Sequence, residues 1–205
     1  MGTGPFAVPM LHALLRSRHT VVAVVTRPAH APAGRRPPPN PIRDAASTAG
    51  LPILDPERIN DADAIAAVTA LAPDLLVVCD YGQILAPAAL AVAPYGGINL
   101  HGSLLPRHRG AAPVQWAILA GDAVTGVSVI QMTPALDAGR VIGAKGYPAV
   151  FEDPPNVDGA TLARKAAIFA AYNAHDPLVC QGVDACLDDF EYGSFLRRQY
   201  LIRSH

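Results

Sequence analysis

The segment INLHGSLLPRHRGAAP, residues 98–113, places an amide and an imidazole, Asn99 and His101, where an apolar run gives way to glycine, serine and proline. Side chains two positions apart on an extended strand share a face, so these two can converge on one reacting centre. Asp137, in PALDAGRV, lies in a glycine-containing loop after a later apolar run and can reach the same edge. The three groups complement one another. An imidazole moves protons near neutral pH, a carboxylate beside it favours its charged form, and a carboxamide N–H stabilises an oxyanion. The same spacing also suits a structural histidine with an unrelated loop aspartate, so the elements that carry these residues must decide.

Those elements alternate. VVAVVT (21–26), PDLLVVCDYG (73–82), GGINLHGS (96–103) and TGVSVIQM (125–132) read as short buried strands rich in β-branched residues. Between them, 5–18, 61–72 and 112–121 read as helices, with Asp61 as an N-cap and Gly121 as a stop. Strand alternating with helix predicts an α/β fold, a doubly wound and mostly parallel sheet. Ligands in such sheets bind at the carboxyl ends of strands, where Asn99 and His101 fall. Trp116, on the third helix, reads as core, and His108, in RHRG, as a surface residue. Residues 27–43, RPAHAPAGRRPPPNPIR, hold six prolines and read as a basic loop, without helix or central strand, on the ligand edge. Beyond residue 150 the periodicity weakens to an Ala-rich helix over 160–171 and a patternless stretch over 176–205.

GTGPFA (2–7) formally matches a dinucleotide fingerprint, with Arg27 at the distance of a basic residue for NADP. That fingerprint needs a strand immediately before it, and only Met1 precedes Gly2. Composition narrows the classes further. A net charge of −1 excludes a globally basic nucleic-acid binder, yet residues 1–50 carry six arginines against Asp44 alone, which allows a local basic surface. Cys79 sits in an apolar strand and reads as a core thiol, and Cys180 and Cys186 lack the spacing of a metal or redox pair. No two histidines have metal-ligand spacing, so no metal is expected. No apolar run reaches the ~18 residues of a membrane span and no signal segment opens the chain, so a cytoplasmic protein without membrane partners is expected.

The stretches GTGPFAVP, VVAVVTRPAHAPAGRRPPPNPIR, PDLLVVCDYGQIL, GGINLHGSLLPRHRGAAPVQWAI, GDAVTGVSVIQM and LDAG, taken in order, resemble the amino-terminal catalytic domain of the methionyl-tRNA formyltransferase family. They cover about residues 1–143. The N-x-H-x-S-L-L-P core with a later aspartate is similar to the wider folate-dependent formyltransferases; RHRGAAP and the proline-arginine loop are similar to the methionyl-tRNA members. The resemblance implies a Rossmann-like domain over 1–150 that transfers a formyl group from 10-formyltetrahydrofolate to the α-amine of initiator methionyl-tRNA. It makes Asn99, His101 and Asp137 the catalytic trio. It puts Ser103, Leu104, Leu105 and Pro106 in the formyl-folate signature, with the backbone around Ile84 and Leu85 holding the pterin. It sends Arg35 and Arg36 toward the tRNA acceptor end and lines a methionine pocket with Phe6. The chain is expected to act as a monomer.

The pattern departs from the family's at both ends. A strand before the G-T motif and a carboxy-terminal tRNA-binding barrel are expected to be missing, with a divergent tail over 151–205. Two alternatives follow: a formyltransferase acting on a small amine or nucleotide sugar, and a degenerate, non-catalytic folate-binding fragment.

Overall fold

The computed structural model of the chain describes residues 1–29 and 39–148. Helices α1 (Ala7–Arg16), α2 (Pro41–Thr48), α3 (Ala62–Thr69), α4 (Pro87–Leu90) and α5 (Pro113–Leu119) alternate with strands β1 (Val24–Val25), β2 (Ile53–Leu54), β3 (Leu76–Val78) and β4 (Gly97–His101). Two longer strands, β5 (Val124–Gln131) and β6 (Val141–Pro148), close the described order. The four expected strands and three expected helices are present, all with shorter bounds except the fourth strand, which keeps its length one residue earlier. The Ala-rich helix expected over 160–171 lies outside the described residues.

β1 pairs with β2 and β3 with β4, both in parallel. Residues 1–3 stand between the two pairs. Gly2 N–H donates to the Val25 carbonyl and Cys79 N–H to the Met1 carbonyl, each at 3.0 Å, and Gly2 bridges Cys79 in parallel. Met1 nitrogen also donates to the Val77 carbonyl at 2.6 Å. Met1 to Thr3 thus hold the central place expected to lack a strand, between β1 and β3. β5 then joins β4, and β6 joins β5, both antiparallel. The sheet is therefore mixed, with an antiparallel half that includes the unanticipated β6. Only a short loop, 132–140, separates β5 from β6, and a hairpin connection of that length forces antiparallel pairing.

Alternation along the parallel strands divides the core. Val24, Ile98 and Leu100 face a cluster with Ala7, Met10, Leu11 and Leu14 of α1 and Ile42 and Ala46 of α2. Val25, Leu76 and Val78 face the opposite cluster, with Val68 of α3, Leu85, and Ala89 and Leu90 of α4. Helices on both faces confirm the doubly wound class. Cys79 is completely buried, as expected of a core thiol.

The proline-rich segment contains a helix start after all. Pro41 occupies the first turn of α2, where its missing N–H costs nothing, and the Asn40 side chain caps the helix by accepting from Arg43 N–H at 3.1 Å. Asp61 precedes α3 but makes no cap bond; its carboxylate is taken instead by Arg58. Gly121 does end α5, with φ +65°, and its N–H bonds the Ile118 carbonyl. Trp116, expected in the core, is 56% exposed, because α5 turns Ala117 and Ile118 inward instead.

Candidate active site

Asn99 and His101 both lie on β4, on the face opposite Ile98 and Leu100, near its carboxyl end. Asp137 comes to them from the loop after β5. That loop returns closely over the strand end: a side chain at Gly139 would meet the Gln131 carbonyl oxygen at an impossible 1.7 Å. The Asp137 carboxylate then lies between the two other groups. Oδ1 accepts from Asn99 Nδ2 at 3.4 Å, and Oδ2 lies 3.6 Å from His101 Nδ1 while accepting Gly110 N–H at 2.9 Å. The side chains of His101 and Asp137 are 5% and 9% exposed, and Asn99 is partly buried as well. The three groups converge on one strand edge.

The second ring nitrogen of His101 sets its tautomer. Nε2 lies 3.0 Å from the His108 carbonyl oxygen, which only accepts, so Nε2 carries a hydrogen and donates. Nδ1, turned toward Asp137, is left as the nitrogen that gains or loses a proton. Asn99 Nδ2 has two hydrogens, of which one serves Asp137. The arrangement therefore offers a polarised N–H and a proton-exchanging nitrogen side by side, held by one carboxylate.

Backbone strain gathers in the loops around this edge. Asp80, His108, Ala112 and Asp137 all have φ between +45° and +55°, which non-glycine residues seldom adopt. Phe6 packs against the core cluster of Ile98 and Leu100, and its ring and Val114 would stand 3.5 and 2.9 Å from a side chain at Gly102, the residue after His101. Phe6 is half-buried. Asp80, which the sequence did not single out, follows β3 with its carboxylate against the Gly4 backbone, and burial pushes its carboxyl above the usual carboxylate range. A carboxylate packed on the second glycine of GTGPFA repels a pyrophosphate there, which removes the dinucleotide reading.

The remaining expected positions differ in what their side chains do. Ser103 is fully buried, its Oγ donating to the Arg107 carbonyl at 2.6 Å. Leu104 covers Gly126 and Gly146 of the β5–β6 pair, Leu105 N–H donates to Ser128 Oγ at 3.1 Å, and Pro106 is exposed. These four shape the turn after β4. Leu85 is buried in the core, so only its backbone can meet a ligand; Ile84 is 69% exposed, and its carbonyl accepts from Asn60 Nδ2 at 2.9 Å. Arg35 and Arg36 lie outside the described residues. His108, read as a surface residue, is largely enclosed: its Nε2 meets the Asp122 carboxylate at 2.7 Å, with its side chain 16% exposed. The sequence signal for that contact was weak, since Asp122 looks like any polar residue in a turn.

The formyl transferase family profile matches residues 1–171. The chain is a member of the formyl transferase family. That match carries past residue 150. Curated relatives named methionyl-tRNA formyltransferase come from Rhodopirellula baltica (54% identical over 153 residues, 72% of this chain and 46% of the relative) and Frankia alni (54% over 144 residues, 69% and 44%). A third, from Nitrosococcus oceani, is 48% identical over 187 residues, 91% of this chain and 53% of the relative. The chain thus spans about half the length of these relatives. Among solved structures, phosphoribosylglycinamide formyltransferase from Anaplasma phagocytophilum aligns with a TM-score of 0.68 at 23% identity, covering 92% of this chain and 84% of that one. Formyltetrahydrofolate deformylase from Pseudomonas syringae aligns with a TM-score of 0.57 at 22% identity, over 82% and 58%. These two likenesses are of fold. Among the described residues no helix of this family member is long and apolar enough to cross a membrane.

Proposed function

We propose that this formyl transferase moves a formyl group from 10-formyltetrahydrofolate to the α-amine of initiator methionyl-tRNA, with Asn99, His101 and Asp137 carrying the chemistry. The observation that carries the reading is the Asp137 carboxylate lying between the Asn99 amide and the His101 ring at a strand end. The names of relatives about 50% identical support the acceptor.

Formyl-folate supplies an activated one-carbon unit, and the described residues suit it: an N–H donor, a proton-exchanging nitrogen and a rigid backbone edge at 84–86. That edge is rigid because Asn60 spans it, donating to the Ile84 carbonyl and accepting Ala86 N–H at 2.8 Å. Asn99 Nδ2–H donates to the formyl oxygen as negative charge builds there during attack by the amine, help typically worth ~10²–10³ in rate. His101 Nδ1 takes the proton released by the attacking amine and returns it to the departing folate nitrogen, typically worth ~10²–10⁴. Asp137 holds the His101 ring and balances its charge in the protonated state. The backbone of Ser103–Pro106 walls the folate, Phe6 meets the methionine side chain, and Arg35 and Arg36 contact the acceptor end of the tRNA. The protein acts as a soluble monomer in the cytoplasm.

The test is transfer of labelled formyl to charged initiator tRNA, with small amines and nucleotide-linked amines as parallel acceptors. Transfer to methionyl-tRNA that disappears in His101→Ala supports the reading. Transfer only to a small acceptor replaces it with the alternative substrate class, and folate binding without any transfer makes the chain a binder alone.

A further inference from the structure

The reaction as derived leaves one buried charge cluster unused. Asp122, in the turn between α5 and β5, has a side chain 4% exposed, and its two oxygens are taken by the Arg107 guanidinium and by His108 Nε2. A carboxylate stays buried only where its charge is matched, so Asp122 ties residues 107 and 108 firmly to the β5 side. Two serines add to the hold: Ser103 Oγ donates to the Arg107 carbonyl, and Ser128 Oγ donates to the Ser103 carbonyl at 2.8 Å. The opposite side of the same loop faces the trio through its main chain alone. The His108 carbonyl accepts His101 Nε2–H, and Gly110 N–H donates to Asp137 Oδ2. His108 holds this two-sided posture at φ +52° and Gly110 at φ +90°.

We propose that Asp122 is a positioning residue for formyl transfer: by gripping His108 and Arg107 it fixes the carbonyl and amide that orient His101 and Asp137. The proposal rests on the formyl-transfer reading of the trio. Its physical content is that the His108 carbonyl keeps His101 in the Nε2–H tautomer, so that Nδ1 exchanges the proton. Without the Asp122 anchor the loop can rotate and the ring loses that constraint.

The test uses the full chain labelled with ¹⁵N in its histidine rings, the His101 signals being assigned by their loss in His101→Asn. Asp122→Asn is expected to mix the His101 tautomers and lower kcat about 10- to 100-fold while leaving KM for formyl-folate within about twofold. His108→Leu should behave alike. His108→Asn, which keeps a donor and tolerates positive φ, should recover the parent tautomer and most of kcat. If Asp122→Asn does not fold, the two His108 variants carry the same comparison. Folded variants with parent kcat and parent His101 tautomer overturn the proposal, as does a loss of kcat with the tautomer unchanged. A parent chain that transfers no formyl group ends the transfer reading, while the tautomer comparison still decides whether Asp122 positions His101.

Discussion

His101 sits between two oxygens, the His108 carbonyl and the Asp137 carboxylate, and its two ring nitrogens do different work. Because the Nδ1 interaction matters chiefly while the proton is in transit, His101→Ala should lower turnover by ~10²–10⁴ and leave formyl-folate affinity nearly unchanged. Stopped-flow turnover alongside calorimetric binding reads both quantities; equal losses in the two would show that the ring merely binds. Asp80 gives a prediction of known sign. Its folded carboxyl is raised by burial, so the folded state holds a proton more tightly than the unfolded chain does. Asp80 therefore favours folding below the ordinary carboxylate pKa and progressively loses that contribution as pH rises toward the folded value. Asp80→Asn should match the parent in thermal midpoint at acid pH and exceed it at pH 7. A variant no more stable than the parent at pH 7 would contradict this. Cys79 is shielded in the same way, since burial and then the Asp80 charge push its thiol up. Alkylation mapped by peptide mass should leave Cys79 unmodified until the chain unfolds.

At the scale of elements, the end of β4 depends on a close approach. A methyl group at Gly102 would stand 2.9 Å from Val114 Cγ2 of α5 and 3.5 Å from the Phe6 ring at the start of α1. Gly102→Ala must push α5 or the strand end aside, costing about 1–3 kcal/mol and shifting His101 with it. Urea denaturation together with turnover checks this: both should fall, and an unchanged midpoint would mean α5 yields freely. The entrance to α2 is held differently. Asn40 caps that helix, and its Nδ2 donates to Thr26 Oγ1 at 2.9 Å and to the Arg27 carbonyl at 3.1 Å, tying together both ends of the proline-arginine segment. Asn40→Ala should cost about 1–2 kcal/mol, as expected for a lost cap with a buried partner left behind. Asn40→Asp, which keeps the cap acceptor but not the donors, should restore only part of it.

For the whole molecule, a net charge of −1 coexists with six arginines in the first fifty residues. Association with tRNA should then rest on few phosphate contacts and be weak, measurable only at low salt. Filter binding across a salt series should show a shallow log K against log[salt] slope, which Arg35→Ala with Arg36→Ala reduces by up to about two. Formyl-folate binding, measured by calorimetry on the same variants, should not change. Binding that ignores both salt and the paired substitution would mean the segment only links β1 to α2.

Much of this was legible along the chain. Runs of β-branched residues broken by glycine and proline located the parallel strands, because a strand buried on both faces must be apolar throughout. Period-two geometry placed Asn99 and His101 on one face before any contact was known. The dipeptide-scale signals that failed did so for tertiary reasons. Trp116 looks like core by type, but which face of α5 meets the sheet is settled by how the 102–112 loop delivers the helix. Pro41 looks like a helix breaker until Asn40 and Thr26 supply the cap that makes it a first-turn residue. The antiparallel half appeared only when β6 closed on β5, a pairing between segments whose own patterns say nothing of direction. Asp122 and Asp80 were unremarked, and His108 was read as a surface residue, for the same reason: each owes its importance to a neighbour distant in sequence. Residue type and spacing determined which chemistry this chain can attempt and at which strand end. Only the folded packing decided what holds that chemistry in register, because burial and matched charge are properties of neighbours in space.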